Sequence, residues 1–223
     1  MKLRNKNLKI LKSNHVYSEE MEHDACGVGL VASTEGLKSR KVVEYGIDAL
    51  KAVWHRGAID ADGKTGDGAG IHIEIPKDFF EEKIEVTGHK HDNSELCVGM
   101  IFLPRNDYSA QEQCRTIVES ELTKRNFSIY GWRQVPVDPS VLGEKAEQTR
   151  PEITQVLFTY NDKKVVNKSL EQKLYETRRV IEKEALNNQL NNFYICSFSS
   201  KSIIYKGMFL AEALSDFYTD LKD

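Results

Sequence analysis

The sequence predicts an α+β protein, and three observations carry that reading. Short apolar runs recur along the chain, alternating at 71–75 and nearly continuous at 96–103 and 153–160, as strands do. Other stretches place apolar residues three and four apart, the period of one helix face. Two apolar runs near the end, 193–198 and 202–205, are separated by only Ser199–Lys201 and read as a hairpin. Antiparallel strands interleaved with a few helices form layers in which helices stack on paired sheets.

Taken in order, residues 1–25 are polar and show no core-forming pattern, so they read as a leader. Residues 27–33 read as a glycine-spaced strand. Residues 40–54 carry Val43, Ile47, Leu50 and Trp54 on one helix face, ending at His55-Arg56-Gly57, where glycine suits a helix stop. Residues 60–70 are turn-rich, and the strand at 71–75 is closed by Pro76. A strand at 96–103 follows a polar loop at 88–94. A helix at 110–125, a strand at 127–134, a proline-bearing segment at 135–139 and a strand at 153–160 come next. The longest helix is predicted over 169–186, with Leu170, Leu174, Ile181 and Ala185 on one side. No internal repeats or heptads appear.

At 223 residues the chain is long enough for one domain with a sizeable core. It is 40% hydrophobic and 29% charged, the balance of a water-soluble globular protein. A net charge of −3 gives no reason to expect nucleic acid or an anionic membrane as partner. No apolar run approaches the roughly 20 residues that span a bilayer, and charges interrupt any signal-peptide core. The cytoplasm is the expected compartment.

Four cysteines, Cys26, Cys97, Cys114 and Cys196, show no metal-binding spacing and no disulfide framework. Cys97 and Cys196 lie within apolar strands and read as core residues. Cys26 differs. Charged residues run up to it (Glu19, Glu20, Glu22, His23, Asp24), then Ala25, and an apolar strand follows. A cysteine at such a junction, once freed as an N-terminus, holds a thiol nucleophile and an amine base in one residue. His55 or His72 as a partner base would instead make a cysteine peptidase, although a structural role is the default for each.

Two other motifs have plainer readings. Thr65-Gly66-Asp67-Gly68-Ala69-Gly70 has a helix before it and a strand after it, the reverse of a phosphate loop, so it reads as a tight turn or pocket wall. His89-Lys90-His91 sits in a polar loop without companion ligands and reads as solvated.

The segment Glu22-His23-Asp24-Ala25-Cys26-Gly27-Val28-Gly29-Leu30 resembles the start of the glutamine amidotransferase domain of the glutamate synthase large subunit. Co-linear matches follow at His55-Arg56-Gly57-Ala58, Ala61-Asp62, Thr65–Ile71, Gly131-Trp132-Arg133-Gln134-Val135-Pro136, Phe193–Ser197 and Tyr205-Lys206-Gly207-Met208. The resemblance implies an N-terminal-nucleophile hydrolase, a four-layer αββα sandwich incomplete at its C-terminal end. Residues 1–25 would be a propeptide, cleaved between Ala25 and Cys26, and 26–223 the N-terminal portion of a type 2 amidotransferase domain. Cys26 would attack the side-chain amide of glutamine, release ammonia and form a thioester that water opens to glutamate. Arg56 would support the nucleophile electrostatically.

The resemblance also implies partners: glutamine, the remaining domains of the large subunit, and a small subunit. FMN and an iron–sulfur cluster belong to the full-length family, with no cofactor in this stretch. The family's Ser-Arg-Phe-Ser-Thr-Asn-Thr and His-Asn-Gly-Glu segments, for substrate binding and the oxyanion hole, are absent, and no Asn-Gly dipeptide occurs. The chain alone is therefore expected to be inactive. Alternatives are a stand-alone amidotransferase module completed by a second polypeptide, or a non-catalytic interaction or regulatory remnant.

Overall fold

Two antiparallel sheets organise the chain. The computed structural model describes residues 27–53, 58–91, 94–162 and 168–222, with Lys6, Lys9, Ile10, Lys12 and Ser13. Helix α1 (Arg40–Ala52) begins at Ser39, whose side chain accepts from the Lys41 N–H. It ends slightly before the predicted 54, where the Val53 N–H returns to the Leu50 carbonyl. Strand β1 (Ala69–Glu74) follows, then α2 (Lys77–Val86), which Pro76 precedes. Next come β2 (Leu96–Leu103), α3 (Tyr108–Lys124), β3 (Phe127–Gln134), a short α4 (Glu144–Thr149) and β4 (Glu152–Tyr160). Helix α5 (Lys168–Asn187), β5 (Tyr194–Ser199), β6 (Ser202–Gly207) and α6 (Leu214–Phe217) close the order, with short 3₁₀ turns flanking α6.

The larger sheet runs β3-β4-β2-β5, and the smaller pairs β1 with β6, from Ala69↔Gly207 to Glu74↔Ser202. Alternation along β2 divides the core. Cys97, Ile101 and Leu103 face a cluster built with Cys114, Val118 and Leu122 of α3 and Leu170, Leu174 and Ile181 of α5. Leu96, Val98 and Met100 join the other cluster, with Ile203 and Tyr205 of β6, Ile47 of α1, and Phe80 and Ile84 of α2. Period 2 in a strand and period 3.6 in the helices deliver this layering. The result is the expected α+β sandwich.

Two sequence expectations are corrected. Residues 27–33 are not a strand. They join no ladder among the described residues, and Val28 and Leu30 are 90% and 93% exposed. An apolar run becomes a strand only where an edge accepts its backbone groups. The second correction concerns 193–205. β5 and β6 do not pair as a hairpin: β5 lies on β2 and β6 on β1, so the turn passes from one sheet to the other. Glu171 of α5 pins that corner, accepting from the Ser199 hydroxyl, the Ser200 N–H and the Ser200 hydroxyl.

Candidate active site

Cys26, its neighbour Ala25, and Arg56 lie outside the described residues, as does His55. The chain beside them is described. Gly27, which follows Cys26, and Ala58, two residues beyond Arg56, line one cavity of about 970 Å³. Its walls come from Leu50 and Val53 at the end of α1, the Gly66–Gly70 turn, β1, β6 and the turn after it, and Phe102 and Tyr194 of the larger sheet. The rim is apolar at Ile59 and Met208, both about half exposed. The Thr65–Gly70 motif is therefore a pocket wall, with Gly68 at φ +128°, a conformation that favours glycine.

Residues 58–67 form a small hairpin leading into that wall. Ile59 bridges Gly66, the Asp60 N–H donates to the Thr65 carbonyl at 2.9 Å, and Asp67 Oδ2 accepts from the Ala58 N–H at 3.0 Å. At its tip the Asp62 carboxylate accepts from the backbone N–H groups of Lys64 and Thr65 at 2.9 and 2.7 Å, and from the Thr65 hydroxyl at 2.5 Å. These donors, the Thr65 hydroxyl foremost, hold the Asp62 carboxyl well below the usual carboxylate range. The tip docks on α4: Lys145 Nζ donates to Asp60 Oδ2 at 2.6 Å, an ion pair that lowers Asp60 and raises Lys145.

The polar groups on the cavity wall are few. Asp67 lies on the turn, His72 is exposed on β1 opposite Ile204, Lys206 of β6 donates to the Tyr194 hydroxyl at 2.7 Å, and Glu212 follows β6. Sequence reasoning weighed His72 as a base and met Lys206 and Tyr194 only inside matched segments, with no role, because only the pairing of sheets brings these together. Of the loop expected to be solvated, His89 and Lys90 are exposed, and only His91 departs from the expectation. His91 is largely buried against Glu81, 3.1 Å away, and His89 meets the Thr87 hydroxyl.

Cys97, Cys114 and Cys196 are free and buried. Burial pushes the Cys114 and Cys196 thiols up to about 11 and Cys97 further. Among the described residues no cluster of three or more His, Cys, Asp or Glu fits a metal ion. The buried thiols do not fit an iron–sulfur cluster, and the glycine turn leads into a strand rather than a helix N-terminus that would hold an FMN phosphate.

A sandwich of two antiparallel sheets, with a cavity bordered by the residue after a candidate N-terminal cysteine, has the architecture of the N-terminal-nucleophile hydrolases. Within that class, residues 26–223 match the family described as class-II glutamine amidotransferases, and the chain belongs to that family. It is 55% identical over 217 residues to the glutamate synthase [NADPH] large chain of Azospirillum brasilense, covering 97% of this chain and 14% of that protein. It is 38% identical over 203 residues to the ferredoxin-dependent glutamate synthase 2 of Synechocystis sp., covering 91% of this chain and 13% of that one. Identity to the ferredoxin-dependent glutamate synthase of Pyropia yezoensis is 37% over 217 residues, covering 96% of this chain and 14% of that protein. The chain thus spans about one-seventh of the length of these relatives. Among the described residues no helix is long and apolar enough to cross a membrane.

Proposed function

We propose that this chain carries the nucleophile half of a glutaminase site that supplies ammonia for glutamate synthesis from 2-oxoglutarate. The carrying observation is that the chain lines one cavity immediately after Cys26 and two residues after Arg56, at Gly27 and Ala58. Removal of residues 1–25 frees the Cys26 amine. An α-amine has an unperturbed pKa of about 7.7–8.0, so near neutral pH it takes the thiol proton and returns it to the leaving nitrogen. The sulfur bonds to the side-chain carbonyl carbon of glutamine, the carbon–nitrogen bond breaks, and ammonia departs. Water then opens the thioester, giving glutamate and restoring the thiol. While Ala25 remains attached, that nitrogen is an amide and has no basic lone pair. Arg56 supports the charge that develops beside the sulfur.

The segments that the resemblance assigns to glutamine binding and to the oxyanion hole are not in this sequence. Loss of a single oxyanion donor costs about 100- to 1000-fold in rate, so residues 1–223 alone turn over little glutamine. The test measures ammonia release from glutamine by the polypeptide as its gene encodes it, by Cys26→Ser, and by residues 1–223 alone. The encoded polypeptide should release ammonia after losing residues 1–25, and the other two should not. Release that survives Cys26→Ser, or that proceeds with the leader intact, overturns the reading.

A further inference from the structure

We infer that Lys206 and Tyr194 anchor the carboxylate of an α-amino acid that enters the cavity. Resting on the amidotransferase reading above, this contact belongs to the same site. Lys206 is the one lysine or arginine among the described residues that line the cavity, and it pairs with no carboxylate among the described residues. Its Nζ donates to the Tyr194 hydroxyl at 2.7 Å, which uses one of three N–H donors. The hydroxyl accepts there, so its own proton is left to donate. An ammonium N–H beside a phenolic O–H matches the two oxygens of one carboxylate. The walls around them are mostly apolar, the setting in which a few polar groups fix a ligand's orientation. Asp67 and Glu212, the acidic residues of the same lining, suit the ammonium group of a zwitterion.

Both strands and the turn behind them hold Lys206 in place. Gly70 of β1 stands opposite Lys206 of β6. A Cβ on Gly70 would come 2.7 Å from the Lys206 Cβ and 2.9 Å from the Tyr205 carbonyl oxygen, so the glycine clears the start of the lysine side chain. The Lys206 carbonyl accepts from the hydroxyl of Tyr218 at 2.8 Å, and Tyr218 is fully buried, which fixes the strand at that point. Tyr194 begins β5 in the larger sheet, its ring centroid 5.8 Å from that of Phe102, so ammonium and hydroxyl reach the cavity from different sheets. The Tyr194 side of the contact is open, with the residue 44% exposed. Substitutions in so exposed a pair should leave melting nearly unchanged, which separates a binding role from a structural one.

The test combines chemical protection with steady-state kinetics on the encoded polypeptide. Brief acetylation with acetic anhydride, followed by peptide mapping, reads Lys206 against the exposed Lys64 and Lys201. L-glutamine should slow the labelling of Lys206 alone, and L-glutamine α-amide, which lacks the carboxylate, should not. Lys206→Met should raise the KM for glutamine about 10- to 100-fold with kcat within about threefold, as loss of a charged hydrogen bond used in binding does. Tyr194→Phe should raise KM about 3- to 10-fold. Where Lys206→Met does not fold, protection of the parent decides. The assignment is overturned if glutamine leaves Lys206 labelling unchanged or slows all three lysines alike, or if the α-amide protects equally. It is also overturned if Lys206→Met keeps the parent KM, or loses activity only in step with the folded fraction. If the parent releases no ammonia from glutamine, the amidotransferase reading fails, and protection of Lys206 by glutamine still decides the anchor.

Discussion

A thiol reacts as its thiolate, so burial sets apart the three described cysteines before any specific partner is considered. Cys97, Cys114 and Cys196 are all at most 4% exposed, and desolvation holds Cys114 and Cys196 at about 11 and Cys97 higher. Well below their folded-state values these three stay protonated, and their burial blocks a reagent as well. Brief iodoacetamide treatment of the native protein at pH 8 should therefore give one adduct, on Cys26, with the other three appearing only after denaturant is added. Peptide mapping checks this, and a second rapid adduct on the native protein contradicts it. Sequence alone made Cys97 and Cys196 legible as core residues, because apolar strand neighbours flank each. The contact of Lys206 with Tyr194 was not legible, since the motifs fixed residue types but not the approach of two different sheets.

Elements with a long apolar period were read nearly to their ends, and elements that depend on distant partners were not. In α5 the four residues expected on one face, Leu170, Leu174, Ile181 and Ala185, are all buried, while Leu186 one position further is 69% exposed. Leu174→Ala should therefore cost about 2–5 kcal/mol, by lost transfer energy and the cavity left behind. Leu186→Ala should stay within about 0.5 kcal/mol. Urea unfolding of the two variants separates them. Sequence reasoning left α2 and α4 unread. α4 has six residues, too few to display a period. In α2 the signal is Phe80 and Ile84 four apart, both fully buried, following the proline taken only as a strand stop. The reverse error, at 27–33, has the same origin: strand character belongs to a pair of segments, and Val28 and Leu30 meet no strand edge among the described residues.

Across the whole molecule, the two sheets and the C-terminal turn are joined by one buried ion pair that no local pattern announces. Arg133 of β3 donates through both terminal nitrogens to Asp220, at 2.7 and 2.6 Å, although 87 positions separate them. The same guanidinium donates to Gln155 of β4 at 2.8 Å and lies 5.2 Å from the Phe79 ring centroid of α2. Gln155 in turn meets the Tyr205 hydroxyl of β6 at 3.3 Å, so the smaller sheet is tied in as well. The Arg133 and Asp220 side chains are only 14% and 6% exposed. Removing one member strands the other charge away from water, whereas replacing both with apolar residues does not. Asp220→Ala should thus cost about 3–5 kcal/mol, and Arg133→Met combined with Asp220→Leu should recover most of it. A double-mutant cycle by urea unfolding measures the coupling. A double variant as unstable as Asp220→Ala would mean that the hydrogen-bond links to Gln155 and Tyr205, rather than charge pairing, hold the sheets together at this point.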